Sequence, residues 1–311
     1  MVRSRNRERF VIVTSFRRKI RWAACTAAAA LAACTTSSAQ EAPAAKPALW
    51  KLADEDTTVY LFGTIHLLPE GVNWRTDTLE KAIRSSDTLV LELPGDEDPM
   101  AAAQLIGKLG FSPGLPPLSE RVPPDKRDAL AKALATASIP AEMQNSMETW
   151  TAALAILTTS FKDLGLDPNL GAERSLQATY KEQGKKFGAL ETAEEQMGFF
   201  DTLSEEAQRL VLVSALDDPE NARAQFKQML DAWVRGDVDA IAKTFDDETA
   251  LSPELREALM KDRNERWAER IGGMLDEPGT VMVAVGAGHL AGADSVQTML
   301  EAKGLKVERV Q

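Results

Sequence analysis

The sequence predicts an α/β fold in which short strands are covered by helices on both faces. Three observations carry this. Runs such as Val59-Tyr60-Leu61-Phe62 and Val281–Val285 are apolar at successive positions, as in strands buried on both sides. Such runs alternate with stretches of helical spacing, and two of them end in the same Gly-x-x-His turn. TTVYLFGTIH ends at His66 and TVMVAVGAGH at His289, and these are the 2 histidines of the 311-residue chain. In open α/β sheets, ligands sit outside the carboxyl ends of the strands, so both histidines would share one rim if these strands run parallel. A lone histidine near a strand end is commonly just a hydrogen-bonded loop residue. A repeated turn that takes up both histidines favours a site.

The elements follow in order. ALWKLAD, the acidic turn Asp54-Glu55-Asp56 and TTVYLFGTIH predict a hairpin with His66 at its far end. Leu79 and Ile83, four apart in DTLEKAIRSS (77–86), predict a helix. In Thr88–Pro94 the one charge, Glu92, interrupts an apolar run where Pro94 ends the strand. If buried it needs a cation, a metal or water; otherwise it reaches solvent at the strand end. Residues 97–275 read as a large helical insertion, broken by proline clusters and by a strand at Lys186–Leu190 that Glu191 follows directly. Met147, Leu154 and Leu157 suggest a packing stripe within it, and Gly236 a helix stop. A helix near its end aligns Met260, Asn264, Trp267, Ile271 and Met274 on one face with Arg263 at the edge. Asn264 on that apolar stripe needs a partner, in a neighbouring loop or in the site. A strand at 280–285, the turn to His289, a helix over 293–303 and a closing strand LKVERV complete the chain.

Hydrophobic residues at 44% and charged residues at 27% exclude a disordered or fibrous chain. The first 33 residues differ from the rest, with eight Lys or Arg against one acid, Glu8, followed by a short apolar stretch from Trp22 to Ala33. This predicts a signal peptide over 1–33, too short for a permanent span. Leu31-Ala32-Ala33-Cys34 resembles a bacterial lipobox and predicts lipidation of Cys34; an ordinary cut near Ala39 is the alternative. Residues 34–47 read as a flexible tether and 48–311 as a single domain. The expected location is the bacterial cell envelope, facing the periplasm and touching the membrane through the lipid only. Thr35 after the cysteine favours the outer membrane. Beyond residue 33, 28 basic and 46 acidic residues remain, a net charge of −18 that argues against nucleic acid as a partner. With Cys25 in the signal and Cys34 acylated, no disulfide, thiol nucleophile or cysteine zinc site is expected.

Four predicted strands thus end in polar groups: His66, Glu92, Glu191 and His289. Two imidazoles with one or two carboxylates make a plausible divalent-metal shell, in which imidazole suits Zn, Fe or Co and carboxylate adds affinity for Mn. Gly63, Gly286 and Gly288 would let the backbone approach metal or substrate. An open position on such an ion would let bound water ionise and attack a carbonyl. No His-Glu-x-x-His, Gly-x-Ser-x-Gly or Walker loop is present. Gly-Ala-Gly-His lacks the third glycine and the later acid of a dinucleotide loop.

Over residues 48–311 the chain resembles the TraB/PrgY/GumN family, whose animal members include the TIKI metalloproteases. The motifs are YLFGTIHLLP (60–69), LVLELP (89–94), GAERSLQATYKEQGKKFGALETAEEQ (171–196), DRNERWAERI (262–271) and VAVGAGHLAG (283–292). The resemblance implies a mixed β-sheet flanked by helices, similar to erythromycin esterase and the haem-binding ChaN proteins. It implies an active site of Gly63/His66, Gly286/His289 and Glu92, and, from the TIKI branch, peptide hydrolysis dependent on Mn or Co. Arg263 and Asn264 match an Arg-Asn pair expected beside metal or substrate. Glu173 stands where many relatives have Asp and is left outside the expected site. The resulting expectation is a lipid-anchored metallohydrolase of peptides or proteins. His66, Glu92 and His289 would hold the ion, and Glu191 or Arg263 would assist the proton or the oxyanion. The alternatives are a protein that sequesters peptide or haem on the same rim, and a metal-independent hydrolase with His66 as general base.

Overall fold

The computed structural model describes residues 45–95, 98–245 and 252–311. The described residues form one compact unit. The expected signal peptide, Cys34 and the tether up to residue 44 lie outside the described residues. Among the described residues, no helix is long and apolar enough to cross a membrane.

The strands β1 (Leu49–Ala53), β2 (Thr57–Thr64), β3 (Thr88–Leu91), β4 (Lys186–Ala189), β5 (Gly279–Gly286) and β6 (Val307–Arg309) form one mixed sheet, in the order β4-β3-β5-β2-β1-β6. The four strands β4, β3, β5 and β2 are parallel, and β1 is antiparallel to β2 and β6. The hairpin between β1 and β2 forms as expected, its turn closed by Asp54, whose carboxylate accepts from the N–H groups of Asp56 and Thr57. β3 stops at Leu91, three residues before Pro94, which has no N–H to continue the ladder.

The period-two pattern of the strands separates the two cores. Phe62, Leu89, Leu91, Met282 and Ala284 face one side, packed on α1 (Asp77–Ser85), α6 (Ala172–Glu182) and α9 (Pro219–Arg235). Leu61, Val90, Val283 and Val285 face the other, packed on α12 (Asp262–Gly273) and α13 (Val296–Ala302). Burial on both faces is why these strands read as continuous apolar runs.

The helical insertion begins with α2 (Pro99–Leu109) and continues through α3 (Arg127–Thr136), α4 (Ala141–Gln144) and α5 (Thr149–Asp163). After α6 and β4 come α7 (Ala193–Asp201), α8 (Glu205–Ser214), α9 and α10 (Val238–Phe245). The insertion has its own core, and its packing stripe differs from expectation. Met147 is buried ahead of α5 and the half-buried Leu157 packs against the same core, but Leu154 does not join it, and Ala152, Ala153 and Ile156 carry the contact. Gly236 caps α9 in the left-handed region at φ 65°, as a helix stop should.

The helix expected around Asn264 is interrupted. α11 (Pro253–Arg256) passes into a π-helical turn, Glu257–Lys261, before α12 begins. Such turns insert a residue into the helical register and recur at functional sites. This one immediately precedes Arg263 and Asn264.

Candidate active site

Because β2, β3, β4 and β5 are parallel, the four polar groups that follow them come out on one rim. Glu92 follows β3 and Glu191 lies two residues beyond β4. His66 lies two residues beyond β2, and His289 sits in the 3-10 turn Ala287–Leu290 after β5. The His66 loop is fastened from two sides: the Trp233 indole N–H donates to the Gly63 carbonyl at 2.8 Å, and the Ala172 N–H to the Ile65 carbonyl at 3.0 Å. Gly171 passes so close that a β-carbon there would lie 2.1 Å from the His66 carbonyl oxygen.

Arg263 stands at the centre of the cluster and is 6% exposed. Its Nη2 donates to Glu92 Oε2 at 2.8 Å and also to Glu191 Oε1, and its Nε donates to Glu191 Oε2 at 3.2 Å. Nη1 lies 3.2 Å from His289 Nε2. The guanidinium stacks over the Trp267 ring at 4.6 Å, and the Trp267 N–H donates to Glu191. Gln196 donates to both carboxylates, at 3.0 Å to Glu191 and 3.4 Å to Glu92.

Asn264 faces inward, as its place on the apolar stripe requires. Its amide nitrogen donates to the Asp294 carbonyl at 2.7 Å, which turns its oxygen toward His289 Nδ1, 2.6 Å away. Nδ1 of His289 therefore carries the hydrogen, and the Nε2 lone pair faces Arg263. Burial pushes the His289 pKa down to about 3, outweighing the Glu92 charge, so this ring is neutral.

Glu173 is the site residue that the sequence reading left out. Its Oε1 lies 2.6 Å from His66 Nδ1 and accepts from the Thr64 hydroxyl. Its Oε2 is buried without a partner among the described residues. The loss of water from the inner side of the ring lowers the His66 pKa, but the hydrogen bond and charge of Glu173, with the charge of Glu92, raise it to about 9. The His66 side chain is 62% exposed and lines a cleft of about 550 Å³ with Glu92, Glu173 and Gln196. For Glu92, burial raises the pKa, but the His289 and His66 rings, the Arg263 guanidinium and the Gly286 N–H hold it at about 2.

Of the three expected backbone turns, only Gly286 borders this chemistry. A β-carbon on Gly286 would lie 3.3 Å from Glu92 Oε1, 3.4 Å from His66 Nε2 and 3.7 Å from His289 Cδ2. Its N–H donates to Glu92 Oε1 at 2.7 Å. Gly63 instead admits Ala287, and Gly288 admits Phe245 and Met260, so their close approaches are to protein.

The three expected metal ligands thus surround one hollow, but they do not form a closed shell. Among the described residues, no group of three or more His, Cys, Asp or Glu side chains is arranged to hold a metal. His66 Nε2 and Glu92 Oε1 border the hollow left by the absent β-carbon, whereas His289 presents Cδ2 and gives its Nε2 to Arg263. The donor chemistry fits a divalent ion at the first two residues, whereas His289 Nε2 faces the Arg263 guanidinium at 3.2 Å. Of the three carboxylates, Glu92 and Glu191 pair with the Arg263 guanidinium and Glu173 with the His66 ring.

Residues 48–309 match the model of the TraB/PrgY/gumN family. The chain belongs to the TraB/PrgY/gumN family. It is similar to the uncharacterized protein YbaP of Escherichia coli (strain K12), 26% identical over 241 residues, which cover 78% of this chain and 87% of that protein. The YbaP of Shigella flexneri matches with the same identity and coverage. No solved structure matches the chain. In this family member, the matched span takes in all four strands that carry the rim, as well as α12.

Proposed function

We propose that this TraB/PrgY/gumN protein is a hydrolase of carbonyl substrates, peptides in particular, working in the cleft at Gly286. One observation carries the reading: His66 Nε2, Glu92 Oε1 and the His289 ring converge on the hollow over Gly286, at the carboxyl ends of parallel strands. A divalent ion, Mn or Co by family resemblance with Zn or Fe as alternatives, would be held by His66 and Glu92, with His289 joining them. When bound, such an ion polarises a carbonyl and acidifies water.

The chain's own residues prepare the rest. Glu173 fixes the His66 ring and holds a hydrogen on Nδ1. At about 9, the His66 pKa keeps the ion-free ring protonated at neutral pH, so an ion at Nε2 would have to displace that proton. Arg263, pinned by Glu92 and Glu191, is a fixed cation for developing oxyanion charge. Asn264 keeps the hydrogen of His289 on Nδ1, which leaves the Nε2 lone pair free of a proton.

A metal-independent hydrolase is the second reading, favoured by the 2.6 Å pair of Glu173 with His66 and by the Arg263 contact to His289. In that mechanism His66 is the general base and must lose its proton first, so activity rises up to about pH 9. As to location, we propose export and lipid anchoring at Cys34, facing the periplasm from the outer membrane.

Metal analysis of the purified mature domain, paired with a peptide and ester library, tests these readings. Stoichiometric divalent metal, lost in both His66→Ala and His289→Ala together with hydrolysis, supports the first. Metal-free protein that still cleaves supports the second. Binding of peptide or haem without cleavage of any substrate supports sequestration instead.

A further inference from the structure

The cleft has two kinds of lining. Glu173, Arg174, Gln177 and Gln196 make it polar on one part of its surface, and Glu173 and Gln177 are one helical turn apart on α6. Leu91, Leu93, Ala102 and Pro168 make another part apolar. Ala102 belongs to α2, which is unusual in this fold. Its residues are PMAAAQLIGKL, and none of them is buried. The most covered stripe, Ala102, Leu105 and Leu109, is only half-buried, and Ile106, one turn beyond Ala102, is 38% exposed. α2 rests on α7, to which Lys108 is tied by a 2.8 Å ion pair with Glu194. An apolar helix normally buries such a stripe. Here Ala102 lines the cleft that contains His66, and the exposed Ile106 stands one turn further along the same helix.

An extended peptide presents these two chemistries together, amides along its backbone and side chains standing off it. A cleft of about 550 Å³ holds a few residues of such a chain and excludes a folded domain.

We infer that the cleft takes an extended peptide with an apolar side chain beside the reacting carbonyl. That side chain lies on the wall made by Ala102 and Ile106, while the peptide's amides meet Gln177 and Gln196. This rests on reading the cleft as a peptide hydrolase site. Acidic side chains are disfavoured next to the cluster of Glu92, Glu173 and Glu191.

The test compares two fluorescein-labelled Gly/Ser peptides, one with a central Leu and one with a central Ser, by fluorescence anisotropy on the mature protein. The Leu peptide should bind about tenfold or more tighter. Ala102→Gln and Ile106→Gln should together abolish that preference, so that the two peptides bind alike. The single variant Ile106→Gln changes an exposed residue, keeps the fold and should lose part of the preference. Equal or undetectable binding of both peptides to the wild-type protein overturns the inference, and so does a preference that survives in the double variant. A protein that prefers the Leu peptide yet cleaves nothing retains this subsite and loses the hydrolase reading. One that cleaves both peptides equally retains the hydrolase reading and loses the subsite.

Discussion

Glu173 Oε1 lies 2.6 Å from His66 Nδ1, so the exposed imidazole of the cleft is oriented from behind by a carboxylate on a different element. The pair sets the direction in which Nε2 points and the proton the ring holds. Glu173→Gln keeps the shape and removes the charge. The His66 pKa should fall from about 9 toward 6.5, read by NMR titration of the ring, and hydrolysis should fall about ten- to a hundredfold. An unshifted ring would show that the pair does not form in solution.

Arg263 balances two buried carboxylates. Arg263→Met leaves Glu92 and Glu191 without their cation, and breaking a buried pair in this way costs about 3–5 kcal/mol. Urea denaturation should show that loss. Mn²⁺ should restore part of it, because an ion that binds only the folded state stabilises it by mass action.

The pH dependence of stability has a definite sign on each side. In chelator, His66 is raised from 6.5 to about 9, so its contribution is complete below pH 6.5 and is lost as pH rises through 9. His289 is lowered from 6.5 to about 3, so the unfolded chain takes up a proton that the folded ring refuses, and stability falls from pH 6.5 down to 3. Glu92, lowered from 4.5 to about 2, adds further loss as pH falls through that window. Stability should therefore peak near pH 6.5, and His66→Gln should flatten the alkaline limb. A profile that stays level above neutrality would contradict the His66 assignment.

Gly286→Ala places a methyl 3.3 Å from Glu92 Oε1 and 3.4 Å from His66 Nε2. The hollow is filled while every ionisable group stays. Metal uptake and hydrolysis should both be lost, with a destabilisation of about 1–3 kcal/mol, below that of Arg263→Met. Thermal unfolding with metal analysis separates the two effects.

Much of this site was legible in the sequence because strand runs and their terminal residues are local features. The apolar runs ending near His66, Glu92, Glu191 and His289 needed only a common strand direction to become a rim, and the parallel pairing of β2, β3, β4 and β5 supplies it. The inward turn of Asn264 was readable from helical spacing. The central place of Arg263 was not, since its partners Glu92 and Glu191 come from strand ends 171 and 72 residues away in sequence. Glu173 was missed for a different reason. Its partner lies 107 residues away in sequence, so only the passage of Gly171 against His66 brings it into the site. The small glycine and the acid two residues later were the available signal.

The central claim is that chemistry takes place at the hollow over Gly286. The most direct measurement is hydrolysis of a peptide library by the mature protein with Mn²⁺ and with chelator, in the wild type, His66→Ala and Gly286→Ala. The account predicts Mn²⁺-dependent cleavage by the wild type and none by either variant. Cleavage that persists in both variants, or a metal-loaded wild type that cleaves nothing, would contradict it.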